Sequence, residues 1–505
     1  MLIELLISIA IVFLLHQRFT KRHVYNLGKQ LNSALWSFPF IGHSYLFLGD
    51  NHTRMNAFQI LGRDAISQEN GVSSFWHGNY LYAMIADPEA AELVMKTCLA
   101  KDDIMKMATI YLGNGSIFAP VSIWRPRRKV LIPSFSMKHL KNYMSIFVKQ
   151  SHFLVQKMDS MAGAGSLSAF KYFTAYTMDS IAESTLGYKM GAQTNTDQPF
   201  LKAFDEGLAK SAERLCQPWL HSDLVYFKLP AYKQLLKSKH FLWNFIKELI
   251  RTKKKDIAEN KDTQEHNGNT AEGKFQTFLE SLITLSGGDD GYTEVEIVEE
   301  LIVIMMAGND TAAVAASFTS VMLSRHPEVQ EKVYEELQEV FGDSDRPVTF
   351  EDLSRFKYLE AVIRETLRLY PPVPVITRKV EKEVVLPCGI KLVPGIGIIL
   401  NIWALHRNPR YWGDDAELFR PERFLDAPLS HPAAFMPFSH GPRNCVGYQY
   451  AMMSLKTVLS TVLRRYRILP ATAPNSNSEY PPLRLKFDLM MKDEDGFQIK
   501  IECRR

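Results

Sequence analysis

The chain has 505 residues, 46% hydrophobic and 23% charged, with a net charge of +4. That supports a large core; length alone corresponds to about three domains, although single-domain enzymes also reach this size. So mild a charge argues for neither nucleic acid nor membrane, and the chain shows no zinc-type cysteine pairs, no basic runs interleaved with aromatics and no repeat of fixed period.

The first fifteen residues, MLIELLISIAIVFLL, are apolar apart from Glu4 and Ser8, and Arg18, Lys21 and Arg22 follow them. A cleaved signal peptide places its positive charge before the apolar run. Here the charge comes after it, so residues 1–17 read as a membrane anchor with the remainder cytosolic, and a cleaved signal is the alternative. The run is short against the roughly 20 residues of a spanning helix. Residues 18–49 read as a linker. VSSFWHG and YLYAMIAD then predict a hairpin around Gly78 and Asn79.

From about residue 87 the pattern is mainly helical, with apolar residues at three-and-four spacing. Trp124 and Arg128, four apart, share one helix face, while Arg125, Arg127 and Lys129 read as a solvated basic face. The polar, glycine-spotted stretch 256–274 reads as an exposed loop inside one domain. Thr293 and Glu296 form a capping box that opens the longest helix, which Pro327 ends after Arg325 and His326. Inside it AGNDTAA breaks local rules, because Gly308, Asn309, Asp310 and Thr311 are poor interior helix residues. A back-bond from Thr311 to the carbonyl four residues earlier is the plain alternative to a functional role. Glu365 and Arg368 sit three apart on a helix face, where an ordinary ion pair would serve.

Five widely spaced cysteines, an odd number, fit a reducing compartment with any special cysteine acting alone. Cys445 lies in PFSHGPRNCVG, between Gly441 and Gly447 and just before a helical run. Backbone amides at such a helix start favour the thiolate, and Arg443 is placed to meet a ligand carboxylate. An inert buried thiol is the bland reading. The full spacing Phe438-x-x-Gly441-x-Arg443-x-Cys445-x-Gly447 is far less common by chance.

That segment resembles the haem-binding loop of cytochrome P-450 monooxygenases, and the AGNDT, ETLR with PERF, and WRPRR motifs agree in order. The resemblance covers the whole chain from the anchor onward and implies a mainly α fold with minor β. One large haem-thiolate domain over 50–505 would follow the anchor and linker, its long central helix lying over the haem. It implies that Cys445 is the axial iron ligand, whose electron donation favours O–O cleavage. Thr311 would hydrogen-bond the activated oxygen in a widened helical turn, and Asp310 would relay protons to it. Arg443, Arg378 and the Trp124–Arg128 pair would meet haem propionates. Glu365, Arg368 and Arg423 would form a buried network supporting the haem loop.

Ala307 stands where some ω-hydroxylase relatives esterify a glutamate to the haem, so the haem b is expected to be non-covalent. His440, Tyr448, Gln449 and the lone Pro39 depart from commoner family patterns without removing a chemical group. The chain looks most like the insect microsomal branch related to fatty-acid ω-hydroxylases. The implied protein is an endoplasmic reticulum monooxygenase facing the cytosol. It would take electrons from NADPH through a flavoprotein reductase, with cytochrome b5 as an additional partner, and oxidise a lipophilic substrate by hydroxylation or epoxidation. A fatty acid derivative, a hydrocarbon or pheromone precursor, or a xenobiotic would each suit the apolar, methionine-rich pocket segments. No nucleic-acid partner is expected. The rivals are a haem-thiolate isomerase or dehydratase needing no reductase, and a non-catalytic haem carrier or sensor.

Overall fold

The computed structural model describes residues 16, 18–195, 198–267, 276–286, 291–475 and 480–504. The proposed anchor, 1–17, lies almost wholly outside these. Within 18–49 the chain forms a helix, Arg22–Gln30, that buries Val24 and Leu27. Helix α1 (Asn51–Ser67) follows, its first turn capped by Asp50, which accepts from the Thr53 amide. The predicted hairpin is present as β1 (Val72–His77) and β2 (Tyr80–Ile85), paired antiparallel across Gly78 and Asn79. Helices α2 (Pro88–Thr97), α3 (Val121–Ser134), α4 (Met137–Met158), α5 (Ala169–Ile181) and α6 (Pro199–Cys216) come next.

Helix α7 spans Pro230–Asn267 and takes in residues 256–267. The predicted loop is therefore helical over those residues; positions 268–274 lie outside the described residues. Polar composition misled here because a helix needs no apolar residues where it is exposed, as at Asp256, Ala258 and Glu259.

The central helix, α8 (Glu294–Arg325), has both halves of the predicted capping box, Thr293 accepting from the Glu296 amide and the Glu296 side chain returning to the Thr293 amide. Its 32 residues span about 48 Å at the rise of an α-helix. It is apolar nearly all round because other elements cover it on every side. Among the described residues it is the one helix long and apolar enough to cross a membrane, but it is buried in the protein. Gly308, costly in a helix, is explained by α5: a β-carbon there would meet the Ile181 side chain at 2.6 Å.

Pro327 opens α9 (Pro327–Phe341), and α10 (Lys357–Leu369) carries the ETLR motif. Strands β3 (Val375–Lys379) and β4 (Gly397–Asn401) complete a four-stranded sheet in the order β1-β2-β4-β3, in which β2 and β4 run parallel. After the cysteine loop comes α11 (Tyr448–Arg465), and near the C-terminus a hairpin of β5 (Leu485–Asp488) and β6 (Met490–Asp493). The result is mainly α with minor β, as the sequence implied.

Arg127 corrects the sequence reading. It is buried, not solvated; Arg125 and Lys129 are exposed as expected. Arg127 Nη1 donates to Glu300 Oε1 at 3.0 Å and Asn114 O at 2.7 Å, Nη2 donates to Glu296 Oε1 at 2.9 Å, and Glu299 Oε2 is 3.7 Å away. It thus ties α3 and the segment before it to the first turns of α8. Removing the cation would strand buried carboxylates, so Arg127→Met is expected to cost about 3–5 kcal/mol. Denaturant unfolding should show this loss, while Lys129→Met leaves the midpoint in place.

Candidate functional site

The cysteine loop is shaped by its neighbours. Cys445 N donates to Phe438 O at 2.8 Å, closing the loop, and Phe438 packs edge-on against Tyr448. Gly441 has φ +70°, and a β-carbon there would lie 2.5 Å from the Met95 carbonyl oxygen at the end of α2. Its glycine is required by the protein's own backbone rather than by a ligand. At Gly447 a β-carbon would make only ordinary contacts, with the Cys445 sulfur at 3.8 Å and the Phe135 ring at 3.9 Å. Arg128 reaches across from α3, Nη1 donating to Asn444 O and Nη2 to Asn444 Oδ1, both at 2.6 Å. Its guanidinium therefore braces the loop beside the cysteine. His440 lies 3.4 Å from Glu92 and does not compete with the cysteine.

Cys445 has accessible surface, yet burial pushes its thiol pKa up, with the Gly447 amide and Arg128 opposing the rise. The sulfur is thus open to a ligand while the surrounding protein sets its electrostatics. The expectation of a lowered thiol pKa is corrected accordingly: desolvation exceeds the pull of the helix start. A bound metal would deprotonate it outright. Among the described residues no group of three or more His, Cys, Asp or Glu side chains could hold a metal. A lone accessible sulfur suits a metal whose other ligands arrive with a macrocycle.

The cations beside the cysteine loop provide the test of fit. Arg443 is buried, stacks on the Trp124 ring at 4.8 Å, and donates to Leu99 O, Ser116 O and Ala119 O. Arg378 on β3 is also buried; Nη1 donates to Thr377 O, and Nε has no partner. Burial, then Arg378 and Arg128, pull Arg443 down to about 10, and burial pulls Arg378 to about 10. Lys101, which the sequence reading missed, is held well below its ordinary value by burial and then by these two arginines. Three neighbouring cations with depressed pKa values, one bearing an orphaned donor, call for an anionic partner. The two propionates of haem supply that charge, and the residues fit the group.

The rule-breaking turn of α8 is continuous α-helix with no widened turn. Thr311 Oγ1 donates to Ala307 O at 2.6 Å, the back-bond foreseen as the plain alternative. Asn309 is tied to α5, accepting from Thr177 Oγ1 at 2.8 Å. Asp310 Oδ1 is 2.9 Å from Lys492 Nζ on β6, and its buried Oδ2 has no partner. Lys492 is also new: it lies far from every recognised motif, and only tertiary structure brings it here.

Behind the loop, Glu365 and Arg368 are wholly buried and form a two-bond pair, Nε to Oε2 at 2.7 Å and Nη2 to Oε1 at 2.8 Å. Arg423 Nε adds 3.0 Å to Oε1, and the Arg420 amide donates to the same oxygen. Arg368 Nη1 donates to His406 O and Ala416 O. His406, which no motif announced, donates through Nδ1 to Arg368 O and accepts the Met436 amide at Nε2. Burial, then Arg368, hold it down at about 3, so it stays neutral and keeps both roles. The network thereby runs from α10 to the residues leading into Cys445.

A lone accessible cysteine sulfur in a braced loop, with propionate-ready cations beside it, suits a haem-thiolate protein. The chain belongs to the cytochrome P450 family, which it matches over residues 40–497. It is 32% identical to human cytochrome P450 4V2 over 476 residues, 93% of this chain and 89% of that one. It is 31% identical to Drosophila melanogaster cytochrome P450 4c3, covering 99% and 94%, and to Blattella germanica cytochrome P450 4c21, covering 78% and 79%. The chain is a haem-thiolate monooxygenase, an oxidoreductase.

Proposed function

We propose that this monooxygenase is anchored in the endoplasmic reticulum membrane and draws electrons from NADPH through a flavoprotein reductase, with cytochrome b5 as an additional donor. It inserts one atom of O2 into a lipophilic substrate, by hydroxylation or epoxidation. The observation that carries the reading is the Cys445 loop with the buried cations Arg443 and Arg378 and with Lys101, together with the buried, unpartnered Asp310 Oδ2 in the α8 turn that also holds Thr311. Proton handling at that turn is needed to reduce and split dioxygen and serves no purpose in a carrier.

When bound, haem supplies the iron at which dioxygen is reduced. Cys445 would give its sulfur to that iron; Arg443, Arg378, Lys101 and Trp124 would hold the propionate edge, with Arg128 bracing the loop. Ala307 offers no carboxyl, so the haem is held without an ester. Thr311 would move a proton at Oγ1 by exchanging its bond to Ala307 O for one to the bound reactant. Asp310, fixed by Lys492 at Oδ1, has Oδ2 free to pass a proton inward. The apolar wall of α8, including Ile304, Met305 and Met306, suits a hydrocarbon-like fatty acid derivative, pheromone precursor or xenobiotic.

The full chain with reductase and a lipid panel is expected to consume NADPH only with a substrate present and to release oxygenated product. Thr311→Ala should keep NADPH oxidation but lower product per NADPH on the order of tenfold. Turnover without NADPH would support an isomerase instead.

A further inference from the structure

Lys492, on β6, holds its ammonium between carboxylates from two different helices. Nζ lies 2.9 Å from Asp310 Oδ1 on α8 and 3.5 Å from Asp205 Oδ1 on α6. A third carboxylate, Asp488 on β5, acts on the same ammonium. It also accepts from the Asn51 side-chain amide, and Lys486 Nζ is 3.9 Å from its Oδ2. The three carboxylates differ in their access to water. The Asp310 side chain is 2% accessible, Asp488 14% and Asp205 54%, while Lys492 itself is 8% accessible. Among the described residues Lys486 and Arg54 act further on Asp488, and Asp205 and Glu206 act on Tyr111.

A buried ammonium paired with one buried carboxylate resists neutralisation of that partner, because the charge left behind loses its compensation. Asp310 meets this difficulty when it passes a proton through its unpartnered Oδ2. Its carboxyl must then be neutral for part of the cycle, 2.9 Å from a cation. Burial opposes the charge on Lys492, yet Asp310, Asp205 and Asp488 raise its pKa above the ordinary value. The amine therefore keeps its proton, and the carboxyl is the group that changes charge. Burial pushes the Asp205 pKa up, Lys492 opposes this, and Asp310 and Asp488 add to it. Neutralising Asp310 removes one of those repulsions. Asp205, which is open to water and 3.5 Å from Nζ, is thus most firmly ionised at the moment Lys492 needs a second partner.

We propose that Asp205 is the outer counter-ion of the proton-handling turn, holding Lys492 while Asp310 carries a proton, so that Asp310 changes charge without leaving a buried ammonium unpaired. This deepens the monooxygenase reading and rests on it for the use made of the proton. One proton from solvent joins the Asp310 carboxylate, leaves again from Oδ2, and restores the carboxylate; Lys492 and Asp205 keep their own protonation states throughout. Both are positioning residues, since neither touches substrate or the reacting atoms.

The first test needs no turnover: denaturant unfolding of the full chain as Asp310→Asn, Asp205→Asn, the double variant, and the double variant with Lys492→Met. Each single change leaves Lys492 one close carboxylate, so the midpoint should move little. The double variant should lose more than about twice the sum of the single losses, and adding Lys492→Met should recover at least half of that. Additive losses overturn the proposal, and so does a double variant, however unstable, that Lys492→Met fails to recover. The second test follows product per NADPH against pH with reductase and substrate. The wild-type ratio should fall as pH rises and Asp310 is less readily protonated. Asp205→Asn is expected to move that fall to lower pH by about one unit, and Lys492→Met to move it to higher pH. No shift, or a shift of both in the same direction, overturns the proposal. Wild type that forms no NADPH-dependent product contradicts the monooxygenase reading instead, and the unfolding series still decides the charge sharing.

Discussion

Cys445→Ser is expected to abolish oxygenation while leaving the fold in place. Serine nearly matches the side chain in size, and the loop is closed by the backbone bond from residue 445 to Phe438 O, by Arg128 on Asn444 and by Gly441 against α2. None of these uses the sulfur. A neutral hydroxyl is a poor iron ligand and cannot donate electron density as a thiolate does. The variant should therefore show a native far-ultraviolet spectrum, reduced haem content, no thiolate-type band in the ferrous carbon monoxide complex, and product at background level.

Glu365→Gln is expected to have the largest effect on folding. The carboxylate is wholly buried and neutralises two buried guanidiniums, Arg368 and Arg423, while accepting the Arg420 amide. An amide leaves buried Arg368 without its carboxylate and Arg423 with only the partly exposed Asp415. Loss of one member of such a group costs about 3–5 kcal/mol. His406 joins Arg368 to Met436, so the damage should pass to the cysteine loop and show first as haem loss, then as an earlier unfolding midpoint. Arg368→Lys keeps the charge but not the Nε/Nη2 fork on Glu365 or the Nη1 bonds to His406 O and Ala416 O; it should fall between wild type and Glu365→Gln.

What was legible in the sequence was local chemistry. The capping box at Thr293, the hairpin at Gly78 and Asn79, and the placing of Cys445 ahead of a helix follow from spacings of a few residues. What was not legible depended on partners far along the chain. Arg127 looked solvated beside Arg125 and Lys129, and only the turn of α3 toward α8 reveals three glutamates waiting for it. Lys101, His406 and Lys492 sit in no motif. They acquire meaning from Arg378, Met436 and Asp310, which the fold brings to them. Thr311 could be read either way in sequence, and the structure shows its hydroxyl on the helix carbonyl. Residues 256–267 misled because polarity is a mark of exposure and not of loop structure.

The most direct test of the account is the ferrous carbon monoxide absorption of the purified wild-type chain. Direct bonding of the residue-445 sulfur to iron predicts the strongly red-shifted Soret band of a thiolate-ligated haem. A band at the position given by imidazole ligation, unchanged in Cys445→Ser, would contradict it.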